Sequence, residues 1–375
     1  MTWDHSRGYL PMVATAQRFH ELHPEVEITW ARRSLQAFAD KPLDPLAARY
    51  DFLVIDHPWA GYAERSGILQ PLEELLSRDF LADQAGNSVG QSHASYEYDG
   101  SHWALAIDAA APVSACRPDL LEKAGARLPQ TWDDLIALGR RGLVCCPSIP
   151  LDTYCNFLNL GASAGATLFP NEEEIIAREA GLLMLARLKE LAEVVPAQFF
   201  KLNPIRTCEV MTQSDDFAYC PFTYGYSNYA RPGYAPNVLK FGGIVTVEPG
   251  RKPSTMLGGT GLAISSKCKH RDIAVEYAKF VASGETQRGL YFESGGQPGH
   301  RSAWLDDRVN AASSNFFFDT LSTLDAAFVR PRYAGYLKLQ DHAGDVIHKF
   351  LRRGGDAGKV LDAINQLYRE TLPAR

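Results

Sequence analysis

The chain has 375 residues, longer than one compact core usually accommodates, so two domains or one large α/β unit are expected. Its formal net charge is −6 and it carries no basic stripe, which argues against nucleic acid as a partner, since phosphate binding needs clustered Lys and Arg. Hydrophobic residues make up 46% and charged residues 22%, as in ordinary globular chains, and no apolar run reaches the roughly 18 residues of a membrane span.

In chain order, Thr2 and Trp3 read as the end of a first strand, followed by a polar loop, Asp4–Tyr9. Val13, Ala16, Phe19 and Leu22 recur at helical spacing, and Pro24 stops that helix. Val26, Ile28 and Trp30 alternate and predict a second strand. Phe52–Ile55 is a continuous apolar run, as expected of a strand covered on both faces, and Asp56, His57 and Pro58 supply loop chemistry after it. Asp99-Gly100 predicts a turn within Tyr96–Asp108, and Thr131 with Asp134 predicts a helix-starting capping box.

Residues 172–195 read as a helix, with Ile175, Ile176, Leu182, Leu183, Leu185 and Leu188 as its apolar positions. Residues 217–222 read as a strand running into an aromatic loop that holds Tyr224 and Tyr226. Residues 257–265 read as a Gly-rich turn feeding a strand, and 273–281 as an amphipathic helix. Two helices over about 335–352 and 357–370 end the chain. Repeated strand-loop-helix units imply a doubly wound open sheet, whose ligands sit beyond the carboxyl ends of the strands. Asp4–Tyr9 and Asp56–Trp59 then share one rim.

Seven cysteines form neither a disulfide framework nor a zinc pattern, so they read as small buried thiols, which leans toward a reducing compartment. The first residues show no basic region followed by an apolar stretch, so no signal peptide is read in them. The sequence lacks HExxH, GxSxG after a strand, and GxGxxG.

Several ordered segments resemble one family. YDFLVIDHPWAGYAERSGILQPLEELL (50–76) has its strand, site loop and closing helix. YDGSHWALAIDAAAPVSACRPDLLEKAGARLPQTWDDL (98–135) resembles its "DG…P…RkDLleKaG…TWdEL" pattern. GGTGLAISSKCKHRDIAVEYAKFVASGETQ (258–287), SGGQPGHR (294–301) and RPRYAGYLKLQDHAG (330–344) follow in family order. The family is the extracellular solute-binding proteins of ABC importers, family 1, the sugar-binding type.

The resemblance implies a type II periplasmic-binding-protein fold: two lobes, each a mostly parallel open α/β sheet flanked by helices, with a ligand cleft between them that closes by hinge motion. One lobe is expected at 1–108 plus 256–312 and the other at 109–255 plus 313–375, with crossovers near 108–112, 255–258 and 312–316. It further implies a monomer with no catalytic residue and no cofactor, a membrane permease as partner, and a periplasmic or extracellular setting. A cytoplasmic sensor of the same fold is the live alternative for a chain read without a leader. A metal-dependent hydrolase using Asp4/His5 and Asp56/His57 is the remote one.

The expected ligand contacts are Asp4, His5, Arg7 and Tyr9 after the first strand, Asp56, His57 and Trp59 after the third, and Asp108 before the first crossover. From the other lobe come Phe222, Tyr224 and Tyr226 as aromatic platforms. Gly259 and Thr260 offer backbone donors, Gln297 a side-chain amide, and Arg332 with Tyr333 a clamp for a carboxylate or phosphate, a role Arg330 shares. Carboxylates and aromatics suit a neutral sugar or polyol, whereas Arg and His suit a sugar acid, and residue types alone leave the two even.

Overall fold

The structure, a computed structural model, describes residues 1–35, 37 and 42–373. It divides into two compact units: unit 1 is 1–110, 257–325 and 329–334, and unit 2 is 111–256, 326–328 and 335–375. The first two changes of unit fall near the expected crossovers. The third comes between 325 and 335, later than 312–316, because the helix over Phe316–Asp325 still belongs to unit 1.

The first stretch holds β1 (Thr2–Trp3), α1 (Ser6–Leu22), β2 (Arg32–Arg33), β3 (Phe52–Ile55), α2 (Ala60–Ser66), α3 (Arg78–Gly86), β4 (Glu97–Tyr98), β5 (Ser101–His102) and β6 (Leu105–Ala110). The second holds β7 (Pro112–Cys116), α4 (Trp132–Arg140), α5 (Pro150–Ser163), α6 (Arg178–Val194), α7 (Pro204–Gln213), β8 (Tyr219–Tyr224) and β9 (Lys240–Gly242). β10 (Gly258–Ile264), α8 (Arg271–Ala282) and α9 (Phe316–Asp325) return to unit 1, and α10 (Tyr336–Arg353) and α11 (Ala357–Thr371) complete unit 2. Shorter helical turns join them.

In unit 1, β10 runs antiparallel between β3 and β6, so β3 and β6 are parallel to each other. β1 pairs parallel with β2, and Met1 joins β1 to β3 through Met1 N–H to Phe52 O (3.0 Å) and Val54 N–H to Met1 O (3.0 Å). The sheet is thus mixed rather than mostly parallel, because β10 enters from the second crossover and must run back against its neighbours. Trp3, Phe19, Val54, Ile107, Leu262 and Tyr277 form the core on it, each large side chain contributing about 1.5–3 kcal/mol.

Three expectations in this unit are corrected. The polar loop is only Asp4-His5: the His5 ring accepts the Arg7 N–H at 3.0 Å and starts α1 at Ser6, so Arg7 and Tyr9 are helical. The inward face of α1 is Met12, Thr15, Ala16 and Phe19, while Val13 and Leu22 are exposed. Val26–Trp30 forms no strand, because β1 is two residues long and offers ladder partners only to Ala31–Arg33.

In unit 2, β7 lies between β8 and β9, antiparallel to both. α5 packs on α10, which packs on α11, and Phe157, Leu158, Leu339, Ile347, Leu361 and Ile364 are buried. The helix expected over 172–195 begins only at Arg178. Ile175 and Ile176 are buried ahead of it, Ile176 in a bridge to Leu168, and Leu183 faces solvent.

The capping box at α4 forms as read: Thr131 Oγ1 accepts the Asp134 N–H, and the Asp134 carboxylate accepts the Gln130 and Thr131 N–H groups. Thr131→Ala should cost about 1 kcal/mol in urea unfolding. An unchanged midpoint would mean that Asp134 alone suffices to start the helix.

Candidate functional site

β1, β3 and β6 are mutually parallel, so their carboxyl ends lie on one edge of unit 1, beside the start of β10. Asp4-His5, Asp56-His57, Asp108 and Gly259-Thr260 therefore share that edge, with Thr260 opposite Asp108 and Gly261 opposite Ile55. These seven of the expected unit 1 residues therefore lie along one edge of its sheet.

Its chemistry is dominated by two ion pairs. Arg7 is buried on α1 and grips Asp108 bidentately, Nε to Oδ2 at 2.8 Å and Nη2 to Oδ1 at 2.5 Å. Burial pushes the Asp108 carboxyl above its usual range, and the Arg7 guanidinium opposes that shift. Asp56 binds Arg330 Nη2 with both oxygens, at 2.7 and 2.6 Å. Burial alone would raise Asp56, but Arg330 and His57 together hold it well below the ordinary carboxylate range.

Asp56 also accepts the His57 N–H at 2.9 Å, starting the helical turn His57–Trp59. The His57 ring is fully buried, with Nδ1 3.3 Å from Asp56 Oδ1. Burial, then Arg330, lower its pKa to about 4, and its Nε2 has no hydrogen-bond partner. His5 is likewise lowered to about 3, by burial and then Arg7. Both imidazoles are neutral at pH 7.

Several expected contacts have partners within the protein. Arg332 Nη1 donates to the carbonyls of Ala94 (2.9 Å), Ser95 (3.3 Å) and Glu97, tying the chain around residues 94–97. Gln297 is buried and donates to Ala109 O at 2.8 Å. Asp4 is exposed and pairs with Arg32 at 3.0 Å, and Tyr9 lies under the Arg32 guanidinium. Trp59 is buried edge-on to Tyr62.

Phe222 points into the core of unit 2 from within β8, and Tyr226 is buried beyond it. Tyr224, at the strand end, is half-buried and presents more surface than either. Tyr333 is half-buried in the unit 1 segment 329–334. Thr260 Oγ1 is buried without a hydrogen-bond partner. Gly259 has φ +99°, and a Cβ there would collide with Asp108 O, so only glycine fits. At Gly61 a Cβ would collide with Arg332 O, which accepts the Gly61 N–H at 2.9 Å.

One participant escapes a sequence reading. Tyr96 donates to Ile55 O at 3.2 Å and sets its ring edge-on to His57, and no local spacing signals it. Of the two arginines expected as a clamp, Arg330 meets the Asp56 carboxylate. The hydrolase ligands do not assemble: Asp4 is taken by Arg32 and His5 by the helix cap, and among the described residues no group of three or more His, Cys, Asp or Glu could hold a metal.

A model of the bacterial extracellular solute-binding protein family matches residues 3–203, more than half of the chain. The chain belongs to that family. Solved structures of similar fold include an ABC transporter solute-binding protein from Agrobacterium radiobacter in complex with ribitol, at TM-score 0.82 and 19% identity, covering 96% of this chain and 95% of that one. Maltose-bound MalE3 of Thermotoga maritima gives TM-score 0.83 at 18% identity, covering 96% of each chain. The GacH receptor of Streptomyces glaucescens, studied unliganded and with acarbose, gives 0.81 at 17% identity, covering 99% of this chain and 97% of that one. The fold is therefore the two-unit α/β fold of periplasmic binding proteins.

Proposed function

We propose that the protein is the solute-capture component of an ABC importer, working outside the membrane with a permease partner and taking a neutral carbohydrate or polyol. The observation that carries the choice of ligand is the pairing of the two buried arginines of this edge with carboxylates. Arg7 is paired with Asp108 and Arg330 with Asp56, while Arg332 Nη1 is engaged by backbone carbonyls. His5 and His57 are uncharged at pH 7. An acidic ligand entering this edge would meet carboxylates whose partners are already taken, and separating either buried pair would cost several kcal/mol.

Two uncharged groups of this edge, the buried His57 Nε2 and Thr260 hydroxyl, lack protein partners. Such groups exchange hydrogen bonds with sugar hydroxyls, which both donate and accept. The ligands named for the similar structures, ribitol, maltose and acarbose, support the same reading. None of the rim residues is positioned as a nucleophile with a neighbouring base, and the protein acts by binding rather than by catalysis.

Calorimetric titration with ribitol, maltose and longer glucans, beside gluconate and glucuronate, tests the ligand class. Neutral compounds should bind at least tenfold more tightly than acids of the same size, a difference of about 1.4 kcal/mol. Tighter binding of an acid would refute the neutral assignment.

A further inference from the structure

Unit 2 sets two thiols side by side across its sheet. The segment 143–146 runs along the side of β8 away from β7. Tyr219 N–H donates to Leu143 O (3.1 Å), Cys145 N–H donates to Tyr219 O (3.0 Å), and Val144 is the parallel partner of Tyr219. One step along this register Cys145 stands opposite Cys220, whose partner on the β7 side is Ala115. We infer that Cys145 and Cys220 are the site of a disulfide, made as the chain folds in an oxidising compartment and sealed inside unit 2 afterwards.

Residues paired across adjacent strands share a face, and a strand spacing of about 4.8 Å lies within the Cα separations that disulfides span. The two thiols are hydrogen-bonded to each other, and the Cys145 sulfur also reaches Tyr219 O at 3.7 Å, so its side chain is directed at β8. The Cys146 thiol also lies beside Cys220. In the register, however, Cys146 stands opposite Pro221, and its sulfur is engaged by Pro147 O (3.7 Å), Phe222 O (3.9 Å) and the Asn156 amide (3.7 Å). Cys208 on α7 is engaged by Thr223 Oγ1 at 3.8 Å.

Cys145 and Cys220 are both fully buried, and burial raises the pKa of each thiol. Reaction therefore belongs to folding, because a reagent the size of glutathione does not reach them in the finished fold. The oxidant is a small disulfide or a disulfide-carrying oxidoreductase. One cysteine thiolate attacks it, forming a mixed disulfide and releasing the first thiolate. The second cysteine thiolate then displaces the other half. One S–S bond forms as one breaks: the two cysteines lose two electrons and two protons, and the donor takes both as two thiols. For its oxidant the inference rests on the setting outside the membrane. The experiment supplies the oxidant itself, so its outcome stands apart from that of the ligand titration.

The full chain is unfolded and refolded in a mixture of oxidised and reduced glutathione, beside a refold in dithiothreitol. Thiols counted in denaturant should fall by two from the seven of the reduced chain. A peptide map without reductant should join 145 to 220, and Tm should rise by a few degrees, since the cross-link closes a long loop. Cys146→Ala should also lose two thiols, whereas Cys145→Ala and Cys220→Ala should lose none. An unchanged thiol count in the wild-type protein would overturn the inference without recourse to any variant. So would a loss of two thiols in Cys145→Ala, which would place the bond on another partner.

Discussion

Asp152→Asn is expected to stabilise the protein, and by more at pH 8 than at pH 5. Asp152 lies in the first turn of α5, buried in unit 2, and its Oδ2 has no hydrogen-bond partner. Burial pushes its carboxyl up to about 8. The folded-state pKa is therefore above that of the unfolded chain, near 4. Below pH 4 both states hold the proton, and the group is neutral to stability. Between about 4 and 8 the unfolded chain releases the proton while the folded one keeps it, so stability falls as pH rises.

Above 8 the penalty levels off at a limit on the order of 5 kcal/mol, since each tenfold change in proton affinity is worth about 1.4 kcal/mol. Asn keeps the shape and cannot ionise. Urea unfolding of both proteins at several pH values from 5 to 8 should give curves that diverge steadily. Parallel curves would show that Asp152 is solvated or paired in solution, and would remove the penalty.

The parts of the fold that show in the sequence are those set by local chemistry. Phe52–Ile55 is buried throughout, as a run without polar residues requires. Asp99-Gly100 turns β4 into β5 with both residues at positive φ, which that dipeptide tolerates. The Thr131 cap, the helix expected at 273–281 and the two closing helices appear within about two residues of their expected bounds.

The parts that do not show depend on distant residues. The strand pattern of Val26–Trp30 is real, but a strand needs a partner, and β1 stops short of it. Asp4–Tyr9 looks like a loop by polarity, yet a His ring caps a helix there. The candidate site divides the same way. Strand ends locate Asp56, His57 and Asp108 on one edge, because parallel connectivity follows from the order of elements. Their partners are 274 residues away in the case of Asp56 and Arg330, and 101 in that of Asp108 and Arg7. Nothing in spacing tells Arg330 from Arg332, two residues apart with opposite fates. Residue types alone leave neutral and acidic ligands even, because the ion pairs that bear on the choice join residues far apart in the chain.

Asp108→Ala should be the most damaging single change at this edge, costing about 3–5 kcal/mol. It leaves the Arg7 guanidinium buried on α1 against Tyr291 and the β6–β10 ladder, with its carboxylate removed. Removing both charges together should cost less than the sum of the single changes, because the pair is desolvated and its attraction largely offsets that cost. Arg7→Met, Asp108→Ala and the double variant form a cycle that reads this coupling directly. Denaturant midpoints should show the double variant at least as stable as Asp108→Ala alone. Additive losses would mean that water reaches the pair, that the carboxylate is not committed to Arg7, and that this edge carries a charge available to a ligand. The neutral-ligand assignment would then lose its support, since it stands on both arginines of the rim being held by their own carboxylates.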